Sequence, residues 1–325
     1  MQPDNGIYIM KQFPDFSAAG FDIELYNERF RQKNVIIHAR SSDIAYPEHW
    51  GCLSIKCAFG GTEYYEANNT QYGVGDDRYL ILNEGKTYSS YIFSETPVES
   101  YTINFSNRFA GIVMSGLISG AAKMADDPEW LPGALPEFAE KLYRHDGRIS
   151  PVLAGLYRLS SAVQPDESAI EEAYCFLLER MLLLQALVDR EVRKVEVVKD
   201  STRKELYKRL HYARDYMESC YMKPVSLQEL AGIACLNTAY FLRQFKRIFG
   251  MTPHRYLMRR RVEVAGQLLV TTSKPVTEIC YGVGYEDLTS FIRLFRQHYG
   301  LTPEKYRLYR RQKVNFHLSD GGWAL

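Results

Sequence analysis

The sequence predicts an α+β protein of several domains, with a β-rich first third, a helical middle and a basic, all-helical end. Three observations support this. Short β-favouring runs separated by turn residues fill residues 1–110. Apolar positions three and four apart dominate from about residue 112 to 195. A segment near the C-terminus repeats itself at an offset of 50 residues.

In the β-rich part the runs are Val35–Ile37, Cys52–Ile55, Tyr79–Leu82 and Ser100–Phe105. Between them stand Gly60-Gly61, Asn68-Asn69, Gly73 to Asp77, Glu84-Gly85 and Thr96-Pro97, which is turn chemistry. This spacing predicts a sandwich or small barrel. Tyr64, Tyr65, Tyr72, Tyr79, Tyr88 and Tyr91 crowd the same stretch. Cross-strand packing and the lining of an aromatic pocket both stay open for them.

Residues 111–200 read as a helical connector. Leu135 to Tyr143 and Pro151 to Val163 predict two helices. Asp166-Glu167 open a longer one, acidic where the helix dipole favours it. Its apolar positions are Ile170, Tyr174, Leu177, Leu178, Met181, Leu184 and Leu187 or Val188. That stripe is wider than one face and predicts two packing neighbours, with dimerisation through this region as one outcome. Glu191 to Lys199 is charged and reads as a linker or frayed helix end.

Hydrophobic content of 46% and charged content of 24% describe a globular chain. The most apolar stretch, Tyr174 to Val188, is interrupted by Glu179, Arg180 and Gln185 and is too short to span a bilayer. The first twenty residues hold no apolar run of signal-peptide length. These readings predict a cytoplasmic protein with no membrane partner. The six cysteines form no CxxC pair and no zinc-spaced cluster with histidine. Only His38 and His49 fall in residues 1–110, and no HxH occurs. No metal, no cofactor and no enzymatic chemistry are therefore expected.

The net charge of +1 averages two unlike parts. Residues 201–313 contain 21 Lys+Arg against 9 Asp+Glu, which leaves 19 basic and 30 acidic residues elsewhere. One part alone is thus suited to a polyanion. Charge does not separate DNA from RNA or a membrane surface, but the organisation of the basic part does.

Phe241, Arg243, Phe245, Gly250, Thr252, Pro253 and Tyr256 recur as Phe291, Arg293, Phe295, Gly300, Thr302, Pro303 and Tyr306, and Lys246 recurs as Arg296. Two copies make a duplicated module, not a solenoid. Ser226 with Glu229 three residues on forms a capping box for a short helix. Ala234 to Leu236 turns the chain, Asn237 or Thr238 caps a second helix, and Gly250 ends it. In the second copy Pro275 to Cys280, Gly282 to Gly284, Asp287 and Gly300 play the same parts. Each copy is a helix-turn-helix, over 225–246 and 273–296, and the second helix of such a unit enters the major groove.

Helical periodicity puts Phe241, Phe245 and Ile248 inward, and Phe291, Phe295 and His298 likewise. Outward lie Ala239, Arg243 and Lys246, flanked by Tyr240 and Leu242. The second copy presents Thr289, Arg293 and Arg296, beside Ser290 and Ile292. A central arginine suits guanine and the later cation suits phosphate.

The first copy, from Leu230-Ala231 through Phe241 to Phe245 and Phe249 to Leu257, resembles the first half of an AraC/XylS DNA-binding domain. Arg259 to Ala265 with Leu268-Leu269 resembles its connecting helix. Ile279-Cys280, Val283 to Tyr285, Phe291 to Arg296 and Gly300 to Arg307 resemble the second half. The resemblance implies that residues 201–313 bind double-stranded promoter or operator DNA, with 314–325 as a tail. The base readers it implies come from Ala239, Tyr240, Leu242 and Arg243, then Thr289, Ile292 and Arg293. It also implies a cupin-like barrel over residues 1–110 that holds a small-molecule effector, and His38, His49, Trp50, Tyr88 and Tyr91 are the candidate contacts in that part. A homodimer and RNA polymerase are the further partners expected. The alternative is an effector-independent regulator controlled by abundance or by a protein partner. Cys235 departs from the family, which often has glycine in this turn, and is strained if the turn needs a positive φ.

Overall fold

The computed structural model describes residues 7–15, 21–67, 70–126, 137–195 and 199–318. The chain divides into two units, Met1–Lys208 and Arg209–Leu325.

The first unit is built on one eight-stranded sheet, in the order β1-β2-β7-β3-β6-β8, with β4 joined to β7 and β5 joined to β4. Its long members are β2 (Asn34–Trp50) and β7 (Thr87–Asn104). They lie antiparallel, pairing from Val35↔Asn104 to Trp50↔Thr87. On the other edge of β7, β4 (Glu63–Ala67) pairs with Tyr88 to Tyr91 and β3 (Ser54–Phe59) pairs with Glu99 to Asn104. The short members are β1 (Ile7–Met10), β5 (Thr70–Val74), β6 (Arg78–Leu82) and β8 (Leu142–Arg144).

Several expectations need correction here. Thr96-Pro97 does not separate two strands, because both residues belong to β7. They fall where the register to β2 slips, between Phe93 and Val98. Pro97 has no amide to donate, and an unpaired gap is where a strand accepts proline. Gly73 and Val74 likewise end β5, so only Gly75 to Asp77 leaves the ladder. Asn68-Asn69 lies outside the described residues. Among the described residues no pairing joins β1 to β8, so the sheet is not closed and the cupin-like barrel is not confirmed.

The helix expected over Leu135 to Tyr143 also fails. Leu135 and Pro136 lie outside the described residues, and Leu142–Arg144 is strand β8, paired with β6. Upstream of it the Asn83 side chain holds Phe138 at both backbone groups, donating to its carbonyl and accepting from its amide at 2.8 Å each. Those groups are then satisfied outside any helical ladder.

Strand alternation gives the sheet two working faces. On one, Tyr101 Oη meets Ser160 Oγ at 3.1 Å on α3 (Ser150–Ser161), and Phe105 packs on Tyr174 of α4 (Glu167–Val192) with ring centroids 5.2 Å apart. Asp166 caps α4 by accepting from the Ala169 amide. Its buried Ile170, Tyr174, Leu177, Leu178 and Met181 match the expected stripe, and α4 packs on both α3 and α2 (Asn107–Asp126). The other face lines a cavity. A short α1 (Ile23–Gln32) precedes β2. Among the described residues no helix is long and apolar enough to cross a membrane.

The second unit opens within α5 (Asp200–Ser219) and continues through α6 (Leu227–Ile233), α7 (Thr238–Phe249), α8 (Pro253–Thr271), α9 (Val276–Gly282), α10 (Leu288–Tyr299) and α11 (Pro303–Leu318). The capping box at Ser226 and Glu229 forms in both directions. Asn237 accepts from the Tyr240 amide, and Asp287 from those of Thr289 and Ser290. Gly250 and Gly300 end α7 and α10 in the left-handed region, at φ 73° and 75°. The rings repeat as well. Phe245 lies 5.8 Å from Tyr256 at 87°, and Phe295 lies 5.4 Å from Tyr306 at 77°.

The two turns superimpose at an offset of 49, one less than the helices that follow. Leu236 donates to Ala231 and Cys235 to Gly232, just as Tyr285 donates to Cys280 and Gly284 to Tyr281. Both pairs form the helix-ending motif that requires a left-handed residue. Cys235 and Gly284 occupy that position at φ 49° and 88°. Cys235 is the one non-glycine residue of positive φ among the described residues, as its departure from the family pattern foreshadowed. The second copy therefore has one extra residue between turn and recognition helix.

The two positions predict opposite responses. Cys235 is exposed, so Cys235→Gly removes strain and little packing, and is expected to raise stability by up to about 1 kcal/mol. A Cβ at Gly284 would meet the Met222 carbonyl oxygen at 2.6 Å. Gly284→Ala should cost about 2 kcal/mol or more. Thermal melts of the two variants moving in the same direction would refute this reading of the turns.

Candidate functional site

The second helices of the two pairs, α7 and α10, form the first candidate site. Each has its aromatic pair, Phe241 with Phe245 and Phe291 with Phe295, fully buried at 0% exposure. The opposite side is therefore free. Ala239, Arg243, Lys246, Thr289, Arg293 and Arg296 are exposed, while Tyr240, Leu242, Ser290 and Ile292 are half-buried. The Arg243 guanidinium lies 5.3 Å from the centre of the Tyr240 ring, which restrains its direction. Ser290 is partly committed elsewhere, because its hydroxyl and amide bond Asp287 and hold that carboxyl below its ordinary range.

One expectation changes. His298 is exposed, not inward, with its ring edge-on to Tyr299 at 4.6 Å. Here the last turn of α10 is anchored by Tyr299 against Phe295 and Tyr306, leaving position 298 on the rim. Gln244 is buried, at 4% exposure, between the two inward phenylalanines of α7. Its polar side chain gave no sign of this, although its place beside Phe241 and Phe245 on the wheel did.

Not all of the basic charge faces outward. Arg260 and Arg261 of α8 are buried at 8% and 7% exposure. Arg260 pairs with the fully buried Glu218 at 2.8 Å, and Glu218 also accepts from Tyr256. Arg261 donates to three backbone carbonyls, Tyr221 (2.7 Å), Lys223 (2.9 Å) and Gly284 (2.6 Å). Two cations counted toward polyanion binding therefore belong to the domain's interior.

In the first unit the cavity is lined by Phe13, Tyr46, His49, Trp50, Tyr65 and Tyr88, with Lys56, Glu63, Ser90, Ser100, Thr102 and Asn104 in its polar part. Three of the five expected effector contacts, His49, Trp50 and Tyr88, are brought together there. His38 and Tyr91 are not, because each neighbours an inward residue and strand alternation turns it to the other face. His38 bonds Glu99 at 2.6 Å under Tyr157 and α3. Burial alone would raise the Glu99 carboxyl, but bonds from Tyr157, His38 and Arg40 hold it below its ordinary value. Tyr91 stacks on Tyr64 at 5.1 Å and accepts from Gln71 at 2.8 Å.

Sequence reasoning missed Lys56 and Glu63. The only signal was parity: Lys56 shares the phase of Ser54, and Glu63 that of Tyr65. Both are buried, at 3% and 4% exposure. Lys56 donates to Tyr88 Oη at 2.8 Å and sits 4.8 Å from that ring's centre. Burial lowers its ammonium to about 8, and burial raises the Glu63 carboxyl.

The lysine has a testable sign. Its pKa is depressed on folding, so the cost of burying the ammonium is fully present below about pH 8 and fades as pH rises toward 10.5. The fall from 10.5 to about 8 corresponds to about 3 kcal/mol. Lys56→Met should therefore be more stable than the parent at pH 7, with the gap shrinking between pH 8 and 10.5. Urea unfolding of both proteins at pH 7 and 10 checks this, and a pH-independent gap would contradict it.

Comparison with known proteins places the second unit. Residues 230–309 match the family described as a helix-turn-helix domain. The chain is 37% identical over 79 residues to the HTH-type transcriptional activator RhaS of Yersinia pestis, covering 24% of this chain and 29% of that protein. It is 30% identical over 78 residues to the lactose operon transcription activator of Staphylococcus xylosus, covering 24% and 28%. The match thus spans less than a third of either relative's length. A solved transcriptional regulator of Chromobacterium violaceum, with an AraC-type DNA-binding domain, is 30% identical over 32% of this chain and 93% of its own, with a TM-score of 0.31. With the duplicated helix pairs, their caps and the connecting α8, the C-terminal part of this chain is an AraC-type helix-turn-helix domain.

Proposed function

We infer that the chain is a sequence-specific DNA-binding transcription regulator whose first unit responds to a small molecule. The observation that carries the DNA reading is the pair Arg243 and Arg293. Each is exposed at the middle of its recognition helix, opposite a fully buried aromatic pair. A guanidinium there can reach guanine O6 and N7 with two bonds. Lys246 and Arg296, one turn later, are suited to phosphate. Ala239 and Leu242 offer apolar contact to thymine methyls in the first helix, and Thr289 and Ile292 do so in the second.

The effector role rests on the cavity, which brings His49, Trp50 and Tyr88 together with buried polar groups behind aromatic side chains. This unit we read as a cupin-like arm with an open sheet. For a homodimer the support is on α4, where Phe176 and Leu183, one heptad apart, expose 47% and 52% of their surface. Relatives named as transcription activators favour a positive effect on promoters, through RNA polymerase.

Arg243→Ala and Arg293→Ala are each expected to cost about 1–3 kcal/mol of specific binding and to relax base preference at one position. Lys246→Ala should weaken binding evenly over all sequences and reduce the salt slope by about 1. Gel shifts at fixed salt, on sites mapped by genomic footprinting, measure all three. Wild-type binding by both arginine variants would overturn the assignment.

A further inference from the structure

The cavity of the first unit brings a lysine and a glutamate to one address. Lys56 on β3 and Glu63 on β4 both line it, and both are buried. One bond of the Lys56 ammonium goes to Tyr88 Oη, and an ammonium has three donors. Glu63 is engaged by Ser100 and Tyr65. Its Oε2 is nevertheless buried without a hydrogen-bond partner. An unpaired buried carboxyl oxygen costs free energy that folding alone has no reason to spend. Ser90, Ser100, Thr102 and Asn104 line the same cavity, and the Lys56 ammonium lies 4.8 Å and 5.8 Å from the ring centres of Tyr88 and Tyr65.

We propose that this cavity is a binding site for a small polar molecule of zero net charge, which accepts a hydrogen bond from Lys56 and donates one to Glu63 Oε2. This rests on reading the first unit as effector-binding, and names the chemistry of that effector. A monoanion satisfies Lys56 but adds a like charge beside Glu63. A monocation satisfies Glu63 but meets Lys56. A molecule with an acceptor at one end and a donor at the other satisfies both, and leaves the cavity's charge balanced. An amino-acid-like zwitterion and a neutral polyhydroxylated compound share this chemistry.

The test is calorimetric titration of the full-length protein with individual L-amino acids and with neutral monosaccharides and polyols. Acetate to octanoate and the matching alkylamines serve as charged controls. Binding by a member of either net-neutral class is expected, and which class binds identifies the source. Charged controls should bind at least tenfold more weakly. Lys56→Met and Glu63→Gln should each weaken that binding at least tenfold. Preference for a monoanion or monocation, no binding by any compound tested, or a Glu63→Gln protein that binds as the parent does would each overturn the proposal. Operator gel shifts at saturating compound separate this from the effector role. Selective binding that leaves operator affinity unchanged removes the effector role and leaves the site standing. An operator response to acetate-series or amine compounds alone removes the site and leaves the effector role.

Discussion

Arg261 ties the two halves of the C-terminal unit together. Its guanidinium is buried on α8 and gives its donors to Tyr221 and Lys223, which precede the first helix pair, and to Gly284, in the turn of the second. Burial lowers its pKa, but a guanidinium stays charged. Only a planar fork with five donors reaches three carbonyls in different directions. Without it, three carbonyls lose their partners in an interior site, each at about 1–3 kcal/mol. The same contact explains why the second turn is glycine: the Arg261 Cζ lies 3.0 Å from where a Cβ would stand. The first turn carries no such constraint, so the exposed Cys235 survives there with its strain.

Arg260 supports the same arrangement through Glu218 of α5, which in turn accepts from Tyr256 near the start of α8. The connecting helix is thus held to both helix pairs by polar contacts, while its apolar side, Val262, Ala265 and Leu269, builds the core of the second pair. α7 and α10, both fixed to α8, offer their arginines in a set relation. That is what a reader of two neighbouring groove segments requires.

The helical duplication was legible because helix ends obey local chemistry. Ser226, Asn237, Asp287, Gly250 and Gly300 stand in the sequence where they act in the structure. Strand pairing is non-local, and there the sequence misled. Thr96-Pro97 looks like a chain reversal, yet β2 pairs with β7 on both sides of it. Leu142 and Tyr143 look helical until β6 offers them partners. Buried charge was the other blind spot. Lys56, Glu63, Arg260 and Arg261 are buried, and no local pattern announces a partner distant in sequence. Parity did separate Tyr88 from Tyr91, and His38 from Ile37, once the strands were placed.

In the proposed function α8, through Arg261, makes the two helix pairs act as one reader. Arg261→Lys tests it most directly, since a point-charge ammonium cannot serve three carbonyls in a fixed fork. Hydroxyl-radical footprinting of the full-length variant on its operator, at constant salt and with helicity checked by circular dichroism, should show protection by α7 and α10 weakening together. A footprint and affinity equal to wild type, or a loss confined to the bases under one helix, would contradict the account.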